Sequence, residues 1–168
     1  MIRPETPTDH AAIDSVEEQA FDRRDEANIV ATLRAAGTVS LSLVAVLQGQ
    51  IVGHILFSPV EIESEPSYEG AVAMGPLAVL PAYQRQGIGG ALVQRGLEQC
   101  QQQGYGAVIL FGHPTYYPRF GFVPAHHFSL RNRYVEPEHP AFMALELQPG
   151  ALQGRHGLVH LAPAFDGI

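Results

Sequence analysis

The sequence predicts an α/β domain (α+β, mixed sheet) with a central twisted sheet flanked by helices. Three observations carry that expectation. Two early segments repeat apolar residues every three or four positions. The middle of the chain switches to short apolar runs parted by turn residues. A strand, glycine loop, helix and second strand then follow one another from Ala71 to Phe111. A chain of 168 residues is expected to form one domain, 1–168, with a core that needs no metal or disulfide.

Positions 8–20 read as a first helix, capped by Thr8 or Asp9, with Ile13, Val16 and Ala20 at helical spacing. Residues 25–36 read as a second, with Ile29, Leu33 and Ala36 on one side and Gly37 as its C-terminal cap. From Ser40 the period shortens: Leu41, Leu43 and Ala45 alternate, Gln48-Gly49-Gln50 turns the chain, and Ile51–Glu61 returns as the second arm of an antiparallel hairpin. A polar loop covers 64–70. The strand Ala71–Val79 is interrupted by Gly75-Pro76, where a bulge or splayed edge is expected because proline cannot donate to a ladder. After Pro81–Gly90 a helix runs to about Gln103, with Leu92 and Leu97 inward and Gly104 ending it. Val108–Phe111, Phe142–Leu147 and Leu158–Leu161 read as further short strands, the last two within a tail rich in Pro, Gly and His.

Charge and cysteine usage exclude several classes of function. Ten basic against 17 acidic residues leave a net charge of −7, which argues against nucleic-acid binding through displaced counterions. The lone Cys100 excludes an intramolecular disulfide framework, and its place on the inner side of a helix reads as a buried, inert thiol. No apolar run approaches the ~20 residues of a membrane span. The first residues, Met1-Ile2-Arg3-Pro4-Glu5, lack the apolar core of a secretory signal. The eight histidines show no metal-ligand spacing. A cytoplasmic protein without metal, membrane or nucleic-acid partner is expected.

Chemistry concentrates in Leu77-Ala78-Val79-Leu80-Pro81-Ala82-Tyr83-Gln84-Arg85-Gln86-Gly87-Ile88-Gly89-Gly90-Ala91-Leu92. This stretch leads from a strand through a glycine-containing loop into a helix N-terminus. Glycines let the backbone approach a ligand or adopt positive φ. The unpaired N–H groups of a helix's first turn, at the positive end of its dipole, attract an anion. An acidic protein can therefore still hold phosphate locally. The glycine spacing does not match a dinucleotide fingerprint, and no Gly-Lys-Ser/Thr follows, so a P-loop is excluded.

The pattern Gln84-Arg85-Gln86-Gly87-Ile88-Gly89, behind a strand ending Leu-Ala-Val and a Pro-x-Tyr, resembles the pyrophosphate-binding motif of the GNAT superfamily of N-acetyltransferases. Tyr117-Pro118-Arg119-Phe120-Gly121-Phe122 is similar to the family's Tyr-x-x-x-Gly-Phe segment. Gly53–Val60, Pro76–Pro81, Pro114–Phe122 and Ala141–Leu147 resemble one bacterial branch of predicted acetyltransferases, so the likeness covers roughly residues 2–165.

The resemblance implies a GNAT-like fold whose mixed sheet splays between two parallel strands, about 71–79 and 107–111, with acetyl-CoA in that cleft. It implies that the backbone of Leu77, Ala78 and Val79 pairs with the pantetheine arm and thioester. The pyrophosphate would fall to Gln84, Arg85, Gln86, Gly87, Ile88, Gly89 and Gly90. Tyr117 would be the general acid that reprotonates the CoA thiolate, with adjacent Tyr116 as the other candidate. The acceptor is then a primary amine of a small molecule or protein. The base stays open among Glu61, Glu63, His113, a water chain or an amine that arrives neutral. The family's frequent CoA-binding asparagine is missing from Gly112-His113-Pro114. Glu17, Glu18, Asp22, Asp25 and Glu26 read as a solvated acidic face or as the lining of a groove for a cationic amine. A non-catalytic acyl-CoA-binding sensor or interaction module is the alternative function. The oligomeric state stays open, although many relatives are dimers.

Overall fold

A computed structural model describes residues 1–166. They divide into two compact units. The first holds Met1–Ser58, Met74–Glu98 and the described residues from Ala162; the second holds Pro59–Ala73 and Gln99–Leu161. Two strands, β3 (Gln50–Ile62) and β4 (Tyr68–Val79), and the helix α3 (Ile88–Gln102) carry the chain through both units.

In the first unit, β1 (Ile2–Pro4) pairs antiparallel with β2 (Leu41–Leu47), which pairs antiparallel with β3. The hairpin turn has Gln48 at φ 52° and Gly49 at φ 77°. Two successive positive φ values match the right-handed twist of the strands it joins. The helices α1 (His10–Phe21) and α2 (Asp25–Ala35) cover one sheet face, burying Ile13, Ile29, Val30 and Leu33 with Val44 and Leu56. On the other strand face, Gly53 and Gly96 allow close approach of β3 and α3. A Cβ at Gly53 would lie 3.0 Å from Leu92 Cδ1, and one at Gly96 would lie 2.5 Å from the Phe57 ring.

The expected C-cap of α2 is present. Gly37 sits at φ 69° and donates to the Arg34 carbonyl at 3.2 Å, while the Thr38 amide reaches the Leu33 carbonyl at 3.0 Å. This Schellman arrangement satisfies carbonyls that the helix end leaves unpaired. The N-terminal cap differs from expectation. Asp9 holds the N-cap position of α1, but its side chain makes no capping hydrogen bond to the helix, and a 3-10 turn, Pro7–Asp9, precedes it. The Asp9 carboxylate instead accepts the Thr6 amide at 2.7 Å and a two-pronged hydrogen bond from Arg3 at 2.7 and 3.1 Å.

In the second unit, β4 pairs parallel with β5 (Ala107–Phe111) from Ala71↔Ala107 to Ala73↔Ile109. β5 pairs antiparallel along its whole length with β8 (Phe142–Glu146), and β6 (Val123–Pro124) lies along β8. β9 (Gly157–His160) pairs antiparallel with the end of β3 and parallel with β7 (Leu130–Arg131). Strands of both senses make this a mixed α/β architecture, as expected. Beyond the parallel register, Gly75 takes φ 137°, a conformation only glycine holds easily, at the position where the ladder was expected to be irregular. β4 starts at Tyr68, earlier than its apolar run, and the Arg155 guanidinium lies over the Tyr68 ring at 4.7 Å. Among the described residues, no helix is long and apolar enough to cross a membrane, and no group of three or more His, Cys, Asp or Glu side chains is placed to hold a metal ion.

Candidate active site

In the first unit the strand that ends Leu77-Ala78-Val79 hands the chain to a 3-10 turn, Pro81–Tyr83. Ala78 is buried; Leu77 and Val79 are half-buried. The Leu80 amide donates to the Val52 carbonyl at 2.8 Å, anchoring the end of β4 on β3. Gln84 reaches back from the loop, its Nε2 donating to the Val79 carbonyl at 2.9 Å, so this side chain shapes the loop's exit from the strand.

Two loop residues then take left-handed backbone: Arg85 at φ 63° and Gly87 at φ 85°. A Cβ built on Gly87 meets nothing within 4 Å, so glycine is there for its backbone conformation and not for tight packing. α3 begins at Ile88, and the Ala91 amide accepts its place in the helix by donating to the Gly87 carbonyl at 3.0 Å. The amides of Ile88, Gly89 and Gly90 precede that bond, in the turn where a helix has no carbonyls to offer them. No acidic side chain lies in this first turn to compete for them. Arg85 and Gln86 are exposed beside it. The arrangement suits an anion with several oxygens.

In the second unit Tyr117 opens a 3-10 turn, Tyr117–Phe120, whose amide and that of Tyr116 are held by the His113 carbonyl at 3.4 and 3.1 Å. Its ring packs edge-on to Phe122 and Tyr116, with centroids 6.0 and 5.0 Å away. A Cβ on Gly112 would lie 2.4 Å from the Tyr117 ring, so only glycine leaves that space at the end of β5. Burial, aided by neighbouring Tyr116, pushes the Tyr117 phenol up to about 12. The two adjacent tyrosines differ in their contacts. Tyr116 lies under the Arg119 guanidinium at 4.4 Å, and its carbonyl accepts the Arg119 Nε at 2.9 Å.

The other sequence candidates fall elsewhere. His113 is exposed and contributes its carbonyl to the turn. Glu61 is exposed, and Glu63 pairs with His160 at 2.7 Å. Cys100 is fully buried, and burial pushes its thiol up to about 12. The acidic group around α1 and α2 divides. Arg24 pairs with Asp14 and Glu18, and Arg23 with Asp25 and Glu26, so two arginines are shared among four carboxylates and that face stays acidic.

Glu17 departs from both readings of this acidic cluster, the solvated face and the groove lining, and Glu26 is buried as well. Glu17 is fully buried, with Oε1 2.6 Å from His54 Nδ1, and His54 is fully buried too. His54 Nε2 lies 2.8 Å from Ser42 Oγ, and Ser42 donates to Glu5 Oε1. The signals were a histidine inside the apolar run Gly53–Phe57 and a glutamate next to Val16 on the inner side of a helix. Neither shows its partner without the fold. Gly112 was missed for the same reason.

The molecule compares with known proteins as follows. The Acetyltransferase (GNAT) family matches over residues 6–122. "Uncharacterized N-acetyltransferase YhbS" of Escherichia coli (strain K12) is 40% identical over 167 residues, covering 99% of this chain and 98% of that protein. The crystal structure of YhbS from Escherichia coli in complex with CoA superposes with a TM-score of 0.92 at 38% identity, covering 99% of this chain and 91% of that one. A GNAT family acetyltransferase from Brucella melitensis in complex with acetyl-CoA gives 0.82 at 39% identity, covering 99% and 97%. With a family match over more than half its length and a relative 40% identical along nearly the whole of both chains, the chain belongs to the GNAT family of acetyltransferases.

Proposed function

We infer that this protein, working as one domain over 1–168, moves the acetyl group of acetyl-CoA directly to a primary amine of a small molecule or protein. The turn Gln84–Gly90 carries the reading, because its left-handed Gly87 and the first-turn amides of α3 form a local anion site on an acidic protein. That a relative 38% identical holds CoA and another 39% identical holds acetyl-CoA supports the choice of ligand.

In this reading the amides from Arg85 to Gly90 take the pyrophosphate, and the backbone of Leu77, Ala78 and Val79 pairs with the pantetheine arm. A backbone N–H directed at the thioester oxygen stabilises the negative charge that develops there as the amine nitrogen bonds to the carbonyl carbon. The C–S bond then breaks, and Tyr117 gives its hydroxyl proton to the departing sulfur. The proton lost by the amine nitrogen passes to water, and the Tyr117 phenolate takes a proton back from water. A phenol held up at about 12 is fully protonated at neutral pH and available to donate.

Calorimetric titration with acetyl-CoA, run beside a thiol-release assay on a panel of alkyl amines, polyamines and peptides, tests the reading. Binding plus release with at least one amine is expected, and Tyr117→Phe should lower kcat by about 100-fold with little change in acetyl-CoA affinity. Absence of binding refutes the loop assignment. Binding without release by any amine favours the acyl-CoA-binding module over the enzyme.

A further inference from the structure

The second unit holds an open cavity of about 550 Å³ between the ends of β3, β7 and β9. Glu63, Glu65, Arg131, Gly154, His156 and Leu158 are among the residues that line it, and its size is that of a small-ligand site. A neighbouring cavity of about 380 Å³ shares Gly154 and His156 with it and extends to Glu146. Glu146 pairs with Ala107, the first residue of β5, whereas Gly112 and the Tyr117 ring follow Phe111, the last. β5 rises about 13 Å over its five residues. The two cavities therefore lie toward the opposite end of β5 from Tyr117.

Strand register dictates which side chains face the larger cavity. Ile62 pairs with Val159, and the Glu63 amide carries that ladder one residue on by donating to the Leu158 carbonyl at 2.9 Å. Leu158 pairs in turn with Arg131 on β7. Side chains alternate between the faces of a strand, and burial follows that rule. Ile62, Val159 and Leu130 are buried, whereas Glu63 and Arg131 are exposed and Leu158 is half-buried. Glu63, Leu158 and Arg131 thus form one row across three strands, its ends about 10 Å apart at the backbone. The two opposite charges do not meet across Leu158. Glu63 turns along β9 to His160 at 2.7 Å, and Arg131 has no hydrogen bond or ion pair among the described residues. The walls are held in place. A Cβ at Gly157 would collide with the Glu63 carbonyl oxygen, so glycine is what lets β9 approach the end of β3. Arg155 donates to the Pro66 carbonyl at 3.1 Å and lies over the Tyr68 ring, which ties the loop bearing Glu65 to the segment bearing His156.

We propose that this cavity binds a compact zwitterion, a free amino acid or a short peptide with an apolar side chain, at a site separate from acetyl transfer. A simple anion would meet repulsion from Glu63 and Glu65, and a simple cation would meet it from Arg131. A ligand that carries both charges satisfies both walls at once. The Arg131 guanidinium donates two parallel hydrogen bonds to the ligand's carboxylate, and the Glu63 and Glu65 carboxylates accept from its ammonium group. The apolar side chain covers Leu158, the floor between them. Binding here does not depend on the acetyl-transfer reading, and its place at the far end of β5 distinguishes this ligand from the acceptor amine.

Amide NMR titration of the 15N-labelled full chain tests the proposal. The probes are leucine and the dipeptide Leu-Leu, beside leucinamide, which lacks the carboxylate, and N-acetylleucine, which lacks the ammonium group. At least one zwitterion should bind with a Kd below about 1 mM and shift the amides of Arg131, His156 and Leu158. Leucinamide and N-acetylleucine should each bind at least about tenfold more weakly. A preference for leucine identifies a free amino acid as the ligand, and a preference for Leu-Leu identifies a peptide. Arg131→Gln and Glu65→Gln should each weaken binding at least about tenfold while Tm stays unchanged, because both side chains are exposed. Three results overturn the proposal: no shift at these residues with either zwitterion, single-charge analogues that bind as well as leucine and Leu-Leu, or an Arg131→Gln variant that binds like the wild type.

Discussion

Replacing Gly112 by alanine adds one methyl group where the Tyr117 ring already stands. The new Cβ would lie 2.4 Å from Tyr117 Cε2, 3.0 Å from Cδ2 and 3.3 Å from Leu110 Cδ1. Ordinary carbon contacts begin near ~3.5 Å, so the ring must retreat by about 1 Å. It is confined by Phe122, Phe120 and Tyr116. Overpacking of this kind costs about 1–3 kcal/mol. For a chain of this length that lowers Tm by about 2–12 °C. If Tyr117 is the acid, a shift of about 1 Å also lowers kcat by about 100-fold, because proton transfer depends on position. Thermal unfolding and thiol release would be measured for Gly112→Ala, Tyr117→Ala and the double variant. The clash disappears with the ring, so Gly112→Ala should cost little in the Tyr117→Ala background, with a coupling of about 1–3 kcal/mol. Additive effects would refute the idea that Gly112 exists to seat Tyr117. An unchanged Tm and kcat for Gly112→Ala alone would do the same.

Two further outcomes are expected. Gly87→Val should cost about 1–2 kcal/mol of stability, since the position has open space and only the left-handed backbone is penalised; calorimetry should show acetyl-CoA affinity reduced at least about tenfold, and unimpaired binding would remove Gly87 from the site. In alkaline absorbance titration one of the six tyrosines should ionise about two pH units after the ordinary value of 10, and Tyr117→Phe should delete that late component. The sign follows from proton binding. Between pH 10 and 12 unfolded Tyr117 has released its proton while the folded phenol keeps it, so the folded state loses stability as pH rises through this window, and Tyr117→Phe should flatten that loss.

Much of the candidate site's local geometry was readable in the chain because its parts are local. The loop from Gln84 to Gly90 depends on backbone φ, on glycine and on a helix start, all of which are properties of neighbouring residues. The hairpin turn at Gln48-Gly49 and the Gly37 and Gly104 helix ends were legible for the same reason. The short strand Ile2–Pro4 was not, since three residues have no period and are extended because β2 offers them a ladder. Tyr68 likewise enters β4 outside any apolar run.

By itself, the sequence determined the three helices, the long strands, the glycine-bearing turn before α3 and the pair of adjacent tyrosines, because each is encoded in spacing or in the conformational needs of one or two residues. Tertiary structure alone decided which tyrosine ring stands over Gly112 and which lies under Arg119, because Gly112 meets the Tyr117 ring only in the folded unit. It also turned Glu17 inward. A glutamate in an acidic segment belongs at the surface unless a partner waits inside, and here that partner is His54, 37 residues away in the chain. Burial and partnership are properties of the packed chain, and no local pattern of residues contains them.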